Sequence, residues 1–246
     1  GAAVRLLFGD CGRGCGRGAF GGARAPLLFA DVYEYPLAVI ILALLASRGL
    51  AGLSVGEEGR RNRGLIWAVP GFLVVLWAVG FWKQGKGVQF RSRNFYGVVR
   101  IQESEIRDPY GNSLGRLRAL VHGQTTHGAQ ALAAGFRDQP TMYYGPGGGG
   151  FPIVGHPKRR AGEPIRVGMV GLGVGTLALY GRPGDRFRFY EIDPQVIALA
   201  RDSNWFTFLA AGGAEFEIVE GDARLSLERE KRLGEPGWDV LIVDAF

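Results

Sequence analysis

The stretch Arg166–Asp193, RVGMVGLGVGTLALYGRPGDRFRFYEID, constrains the fold of this chain more than any other. An apolar run, Val167–Val170, meets the turn Gly171-Leu172-Gly173-Val174-Gly175-Thr176, and a second apolar run ends in Glu191-Ile192-Asp193. Strand, glycine turn, helix, strand and acid, in that order, form the grammar of a nucleotide-binding βαβ unit. Glycines let the backbone come close to a ligand, and the start of the next helix offers unpaired N–H groups. An acid about 20 residues past the turn is placed to accept hydrogen bonds from ribose hydroxyls. The turn alone also reads as tight strand-to-helix packing; the acid at this distance is what points to a ligand.

Spacing narrows the ligand. A dinucleotide fingerprint wants its third glycine where this chain has Thr176, whereas the order here is GxGxG, a pattern similar to that of S-adenosylmethionine-type enzymes. The α/β alternation then continues. Asp193 caps a helix that has Pro194 at its first position and runs to Arg201. Glu215–Val219 reads as a third strand ending in Glu220-Gly221-Asp222-Ala223, Leu225–Leu233 as a helix, and Trp238–Val243 as a fourth strand before Asp244. Ligands of such sheets bind beyond the carboxyl ends of the strands. Gly171, Glu191, Asp222 and Asp244 fall there, one per strand, although Asp222 and Asp244 each also read as ordinary turn residues.

The first hundred residues have a different character. They hold 13 Lys/Arg against 5 Asp/Glu, while the remainder holds 16 against 18, so the net charge of +6 is concentrated beside apolar segments. That placement suits anionic headgroups rather than nucleic acid, which would need a basic stripe on the nucleotide-binding part. Gly64–Trp82 is 19 residues without a charge, close to the roughly 20 needed for a membrane span. Trp67, Trp77 and Trp82 suit an interfacial belt; Arg60, Arg61 and Arg63 flank one end, Lys83 and Lys86 the other. Pro26–Ala46 reads as a second span or as a buried core helix, because Asp31 and Glu34 are costly in lipid. Residues 1–25 are a Gly/Ala/Arg-rich leader whose Cys11 and Cys15 lack partners for a disulfide framework or zinc site. Both ends read as cut, since no Met begins the chain and it stops straight after the fourth strand of a sheet type that normally carries several more.

Between these parts, Asn94–Glu103 alternates as a strand, Asp108–Asn112 as a turn and Leu114–Val121 as a second strand, giving a small β-meander. Ala129–Gly135 is expected to be a short helix and Gly145–Gly150 a flexible loop. His122 and His127 read as a hydrogen-bonded structural pair or a catalytic one, with no carboxylate or Cys at metal-ligand spacing. Tyr143 and Tyr144 either line a substrate pocket or pack the loop.

With these residues in hand, the chain resembles the spermidine synthase (polyamine aminopropyltransferase) family, and within it the branch with transmembrane helices ahead of the synthase-like domain. The likeness covers roughly Arg91–Phe246. It rests on Tyr110-Gly111-Asn112, Leu120-Val121-His122-Gly123, the GxGxG turn, Glu191-Ile192-Asp193, Gly221-Asp222-Ala223 and Val243-Asp244-Ala245. The resemblance implies an α/β protein with a Rossmann-like methyltransferase fold over 151–246, a small β subdomain over 88–150 and a transmembrane region over 26–87. It implies that decarboxylated S-adenosylmethionine, or S-adenosylmethionine, is the co-substrate, with no metal. Gly171, Gly173, Gly175, Glu191, Asp193, Asp222 and Ala223 would hold it, Glu191 at the ribose and Asp222 with the Ala223 N–H at the adenine. Asp244 would be the catalytic acid, and Tyr143, Tyr144 and Gln124 would line the amine pocket. The expected partners are a small amine, membrane lipid and a second copy of the chain, with the catalytic part in the cytoplasm. The chain departs from the family at Val174, where the GGGDGG turn has an acid, at Gly97, where a Gln follows the tyrosine, and at His122, which replaces an Asp. An S-adenosylmethionine-dependent methyltransferase and a non-catalytic membrane-fused sensor are the alternatives.

Overall fold

The computed structural model describes residues 29–53 and 57–244, apart from the side chains of residues 52–63 and 65. The leader with Cys11 and Cys15, the arginine side chains at positions 60, 61 and 63, and Ala245–Phe246 of the last motif lie outside the described residues. The chain divides into two units, residues 1–98 and 99–246.

The first unit holds α1 (Glu34–Leu53), α2 (Glu57–Gly85) and β1 (Val88–Asn94). Both helices are long and apolar enough to cross a membrane. Leu and Ala, the commonest residues of α1, favour helix, and Glu34 in its first turn complements its dipole. Ser47 and Pro70 are buried between them, while Leu42, Leu45, Phe72 and Trp82 are exposed. The expected strand Asn94–Glu103 is in fact broken at its start. The Asn94 side-chain oxygen accepts the N–H groups of Tyr96 at 2.8 Å and Gly97 at 3.2 Å. That local turn, helped by the positive φ of Gly97, ends one strand and begins the next.

The second unit opens with β2 (Gly97–Arg107), β3 (Ser113–His122) and β4 (Thr125–Ala131), of which β2–β3 and β3–β4 are antiparallel pairs. The turn at Asp108 is as expected, its carboxylate accepting the Tyr110 and Asn112 N–H groups at 2.9 and 2.8 Å. The helix expected over Ala129–Gly135 is replaced by β4 and a 3₁₀ turn at Ala134–Phe136. Pairing with Leu117–His122 decides this, and so does Gln130, which is fully buried. Its amide donates to the Arg137 carbonyl (2.9 Å) and Thr207 Oγ1 (2.6 Å) and accepts the Thr207 N–H (3.2 Å). Gly145–Gly150, expected to be a flexible loop, is a run of hydrogen-bonded turns: the N–H groups of Gly148 and Gly150 both reach the Gly145 carbonyl, at 2.9 and 3.2 Å. It leads into α3 (Phe151–Val154) and α4 (Pro157–Arg160).

A mixed α/β region follows. Strands β5 (Arg166–Val170), β6 (Arg186–Glu191), β7 (Glu215–Glu220) and β8 (Val240–Val243) form a parallel sheet in the order β7-β6-β5-β8. The chain steps outward from β5 to β7 and then returns to the other side of β5, so the strand order reverses at β5, the kind of switch point beside which open α/β sheets bind ligands. Helices α5 (Pro194–Arg201), α6 (Phe208–Ala211) and α7 (Ala223–Arg232) connect the strands. The core joins Val167, Met169, Phe187, Phe189 and Val240 to Leu177, Ile197, Leu209 and Ile153. One expected helix is missing. Between β5 and β6 the chain makes only the 3₁₀ turn Thr176–Tyr180. Gly181-Arg182-Pro183-Gly184 ends it, and a side chain at Gly181 would come within 2.5 Å of the Ala214 Cβ. No helix macrodipole therefore faces the glycine turn.

Candidate functional site

Because the strands run parallel, their carboxyl ends share one edge, and the hydrogen-bond ladder continues past the strands themselves. Gly171 donates to the Tyr190 carbonyl at 2.8 Å, Gly221 to that of Glu191 at 2.9 Å, and Asp244 to that of Val170 at 2.9 Å. Gly171, Glu191, Gly221-Asp222 and Asp244 are thereby held side by side along that edge.

Glu191 lies at the end of β6, half-buried, with each carboxylate oxygen taking one backbone N–H: Leu172 of the glycine turn at 3.0 Å and Asp193 at 2.9 Å. A carboxylate has about four acceptor directions, so both oxygens keep capacity for a diol. Asp193 is placed differently. It is 1% exposed and caps α5, accepting the Gln195 N–H at 2.8 Å, so its oxygen serves the helix. Asp222 is exposed and caps α7 through the Leu225 N–H at 2.9 Å, with Ala223 as the first helical residue.

The three turn glycines differ in what they admit. Gly171 has φ +95°, a bend only glycine takes easily. A side chain on Gly173 would meet the His127 carbonyl oxygen at 2.3 Å, and one on Gly175 would meet the Leu209 side chain at 2.9 Å. Two of the three thus make room for the protein's own atoms. Val174 between them is 1% exposed, its Cγ2 lying where a Cβ on Gly128 would stand, 2.5 Å away. Strand β4 therefore rests on the glycine turn through His127 and Gly128.

Asp244 is the acid of the edge that lies against tyrosine hydroxyls. Tyr144 Oη donates to Oδ2 at 2.7 Å, and Tyr143 Oη lies 3.4 and 3.3 Å from Oδ1 and Oδ2. The two tyrosine hydroxyls are 2.9 Å apart, their rings 4.3 Å between centroids. A hydroxyl has one proton to give. Tyr144, with the shorter bond, spends its own on Asp244 and accepts from Tyr143, so a chain Tyr143→Tyr144→Asp244 runs from the exposed residue inward. Burial first, and then the Asp244 carboxylate, push Tyr144 far above the ordinary tyrosine value, which keeps it a donor; burial raises Tyr143 as well. His127 belongs to the same neighbourhood. Burial and then the adjacent His122, whose ring centroid is 5.6 Å away, hold it below the usual histidine range, against the opposite pull of Glu191 and Asp244. Neutral imidazole is its resting form at pH 7.

The structure therefore brings together Gly171, Gly173, Glu191, Tyr143, Tyr144 and Asp244, and adds His127. Gln124 is exposed in the two-residue turn between β3 and β4, and among the described residues no hydrogen bond ties Gln124 or Asp222 to the Asp244 cluster. Tyr180 is an addition the sequence reading did not make. Its hydroxyl donates to the Tyr144 carbonyl at 2.7 Å, and its ring occupies the space a side chain on Gly150 would need, at 2.3 Å. The glycine run beside Tyr144 was the available signal: a chain that dispenses with side chains next to a buried tyrosine leaves room for close approach.

No protein-family model matches the chain, and no curated protein matches it.

Proposed function

We propose that the chain is a membrane-attached, spermidine synthase-like transferase that binds an S-adenosyl compound at the carboxyl edge of its parallel sheet, on a Rossmann-like methyltransferase fold. The observation that carries this reading is the charge of that edge. Glu191, Asp222 and Asp244 stand at three of the four strand ends, with Gly171 at the fourth between Glu191 and Asp244, and the three acids enter no ion pair among the described residues; N–H groups and tyrosine hydroxyls are their donors. A sulfonium and an alkylammonium are the cations such an edge accommodates. Glu191 would take the ribose diol, Asp222 and the Ala223 N–H the adenine, and Asp244 the amine.

The amine arrives as an ammonium ion, with a pKa of about 10 like that of lysine. Asp244 would hold that cation and accept its proton. The freed lone pair then forms the new N–C bond at the carbon beside the sulfonium while the C–S bond breaks and its electrons stay on sulfur, releasing a neutral thioether. Tyr144, donating to Oδ2, would fix the orientation of the carboxylate, and alignment of nucleophile and electrophile would supply much of the rate.

One observation favours a second reading, transfer of a methyl group from S-adenosylmethionine. Val174 is buried against Gly128, so the glycine turn directs no acid at the tail of the donor. Calorimetric titration of the full chain with decarboxylated S-adenosylmethionine, S-adenosylmethionine and methylthioadenosine separates the two. Tighter binding of the decarboxylated donor supports aminopropyl transfer, equal or tighter binding of S-adenosylmethionine supports methyl transfer, and no binding by any of the three removes the ligand assignment.

A further inference from the structure

The helical hairpin carries a backbone problem and its solution. Pro70 has no N–H, so the carbonyl four residues earlier in α2, that of Ile66, has no partner within its own helix. In water the solvent would fill the vacancy; in hydrocarbon an orphan carbonyl must be satisfied by the protein. It is: Ser47 Oγ of α1, itself 4% exposed, donates to the Ile66 oxygen at 3.0 Å. Around this buried contact the helices present apolar side chains outward. Only 6% of either apolar window is buried within the protein.

A second solution lies at one end of the hairpin. Asp31 and Glu34, acids that lipid would penalise, are both neutralised. Arg93 takes Glu34 through two nitrogens at 2.9 and 2.7 Å, and Arg91 takes Asp31 at 3.1 Å. Arg93 also donates to the Asp31 carbonyl at 3.0 Å, and Arg91 to the Tyr33 hydroxyl at 3.0 Å. The Tyr33 ring packs edge-on against Phe81 at 5.7 Å, and Lys86 Nζ sits 3.9 Å from the Trp82 ring centroid. Two acids, two arginines, a tyrosine, a tryptophan and a lysine thus gather where α1 begins and α2 ends, the residue types of a membrane–water interface. The 20 residues of α1 reach about 30 Å, the thickness of a hydrocarbon core. Arg48, exposed near the far end of α1, has a stem long enough to carry its charge to the opposite surface.

We infer that α1 and α2 form a two-span hairpin in a lipid bilayer with both ends on the same face. The Asp31–Arg91 and Glu34–Arg93 pairs clasp it at that face, and Ser47 joins the helices within the bilayer. The inference rests on the membrane attachment proposed above and adds its topology and its fastening.

The test uses the full chain with Cys11 and Cys15 changed to Ser and single cysteines at Ala30, Gln89 or Ser54, the last between α1 and α2 in the sequence. A membrane-impermeant maleimide is applied to sealed right-side-out and inverted vesicles from expressing cells. Ala30→Cys and Gln89→Cys are expected to react in the same preparation and Ser54→Cys only in the other. Labelling of Ala30→Cys and Gln89→Cys in opposite preparations, or of all three equally in intact vesicles, overturns the hairpin. Spin labels at Ala30 and Gln89 then test the clasp. Their distance distribution should broaden in Arg93→Glu and narrow again in the Glu34→Arg/Arg93→Glu double variant; no change in Arg93→Glu overturns the clasp. Titrating the same vesicles with the S-adenosyl compounds keeps the two proposals apart. Binding with unsided labels removes the hairpin alone, and sided labels without binding remove the ligand assignment alone.

Discussion

In the amino-terminal half of the parallel sheet Arg188 is held by Glu217, Glu230 and Glu235 at 2.8, 2.9 and 2.8 Å, and the guanidinium groups of Arg188 and Arg166 both lie over the Trp238 ring, 5.5 and 5.0 Å from its centroid. Nearby, Asp185 is fully used: it pairs with Arg159 at 2.7 Å and accepts the N–H groups of Ile165 and Arg182 at 2.9 and 2.7 Å. At the carboxyl edge of the same strands Glu191, Asp222 and Asp244 have neutral donors instead. One half closes its electrostatics within the fold; the other holds carboxylates that have no cationic partner among the described residues. If the proposed function holds, substitutions in the first half should report on folding, and substitutions in the second on ligands.

The largest break of that rule to look for is at Asp185. Its removal leaves Arg159, whose side chain is 4% exposed, buried without its counter-charge. Asp185→Ala should lower unfolding free energy by about 3–5 kcal/mol in urea titration. Asp244→Asn is the counterpart. It should change stability by no more than about 1 kcal/mol while turnover falls roughly 100-fold or more and nucleoside affinity holds, by calorimetry and product assay. Tyr144→Phe removes the shortest donor to Asp244, and about 1–2 kcal/mol of acceptor binding should go with it. Tyr143→Phe, whose contacts to Asp244 are 3.3 and 3.4 Å, should cost distinctly less. A reversed order would show that the exposed tyrosine is the one that matters.

The smallest effect is a pH dependence. His127 titrates below the histidine value of about 6.5 that it has when unfolded. The unfolded chain then binds the proton first, so stability is full above pH 6.5 and declines as pH falls toward the lower folded value. His127→Asn should remove that share of the slope in melting temperature between about pH 7 and 5. An unchanged slope would mean that the histidine is not shielded as its position implies.

The strands of the parallel sheet were legible because β5 and β8 are apolar or nearly apolar runs and β6 alternates arginines with Phe187 and Phe189, each bounded by turn residues, and Asp193-Pro194 announces a helix start by capping chemistry alone. Strand β4 was not, because Thr125–Ala131 has no apolar alternation; its conformation comes from β3 and from a buried glutamine whose partners, Arg137 and Thr207, are distant in sequence or beyond the strand. The glycine turn was half legible. Its bends follow from residue type, but that His127 and Leu209, rather than a ligand, crowd Gly173 and Gly175 depends on tertiary contacts that spacing does not encode. The absent crossover helix was readable in principle from Gly181-Arg182-Pro183-Gly184, which leaves Thr176–Tyr180 too little length to propagate. For the site, positions along the sheet edge were predictable from strand ends, whereas the Tyr143→Tyr144→Asp244 order was not, since it depends on which hydroxyl is nearer.

The serine that answers the proline in the helical hairpin also makes the two positions conditional on each other. A chain that loses Ser47 while keeping Pro70 strands a carbonyl in an apolar setting, whereas one that has first restored an N–H at position 70 can lose the serine freely. The order of substitution then matters. Pro70→Ala should be tolerated in either background, Ser47→Ala only after it, and a double-mutant cycle should show a coupling of about 0.5–2 kcal/mol. Over generations such a pair behaves as a ratchet: the proline, once present, fixes its partner, and drift at the serine waits until the proline has gone.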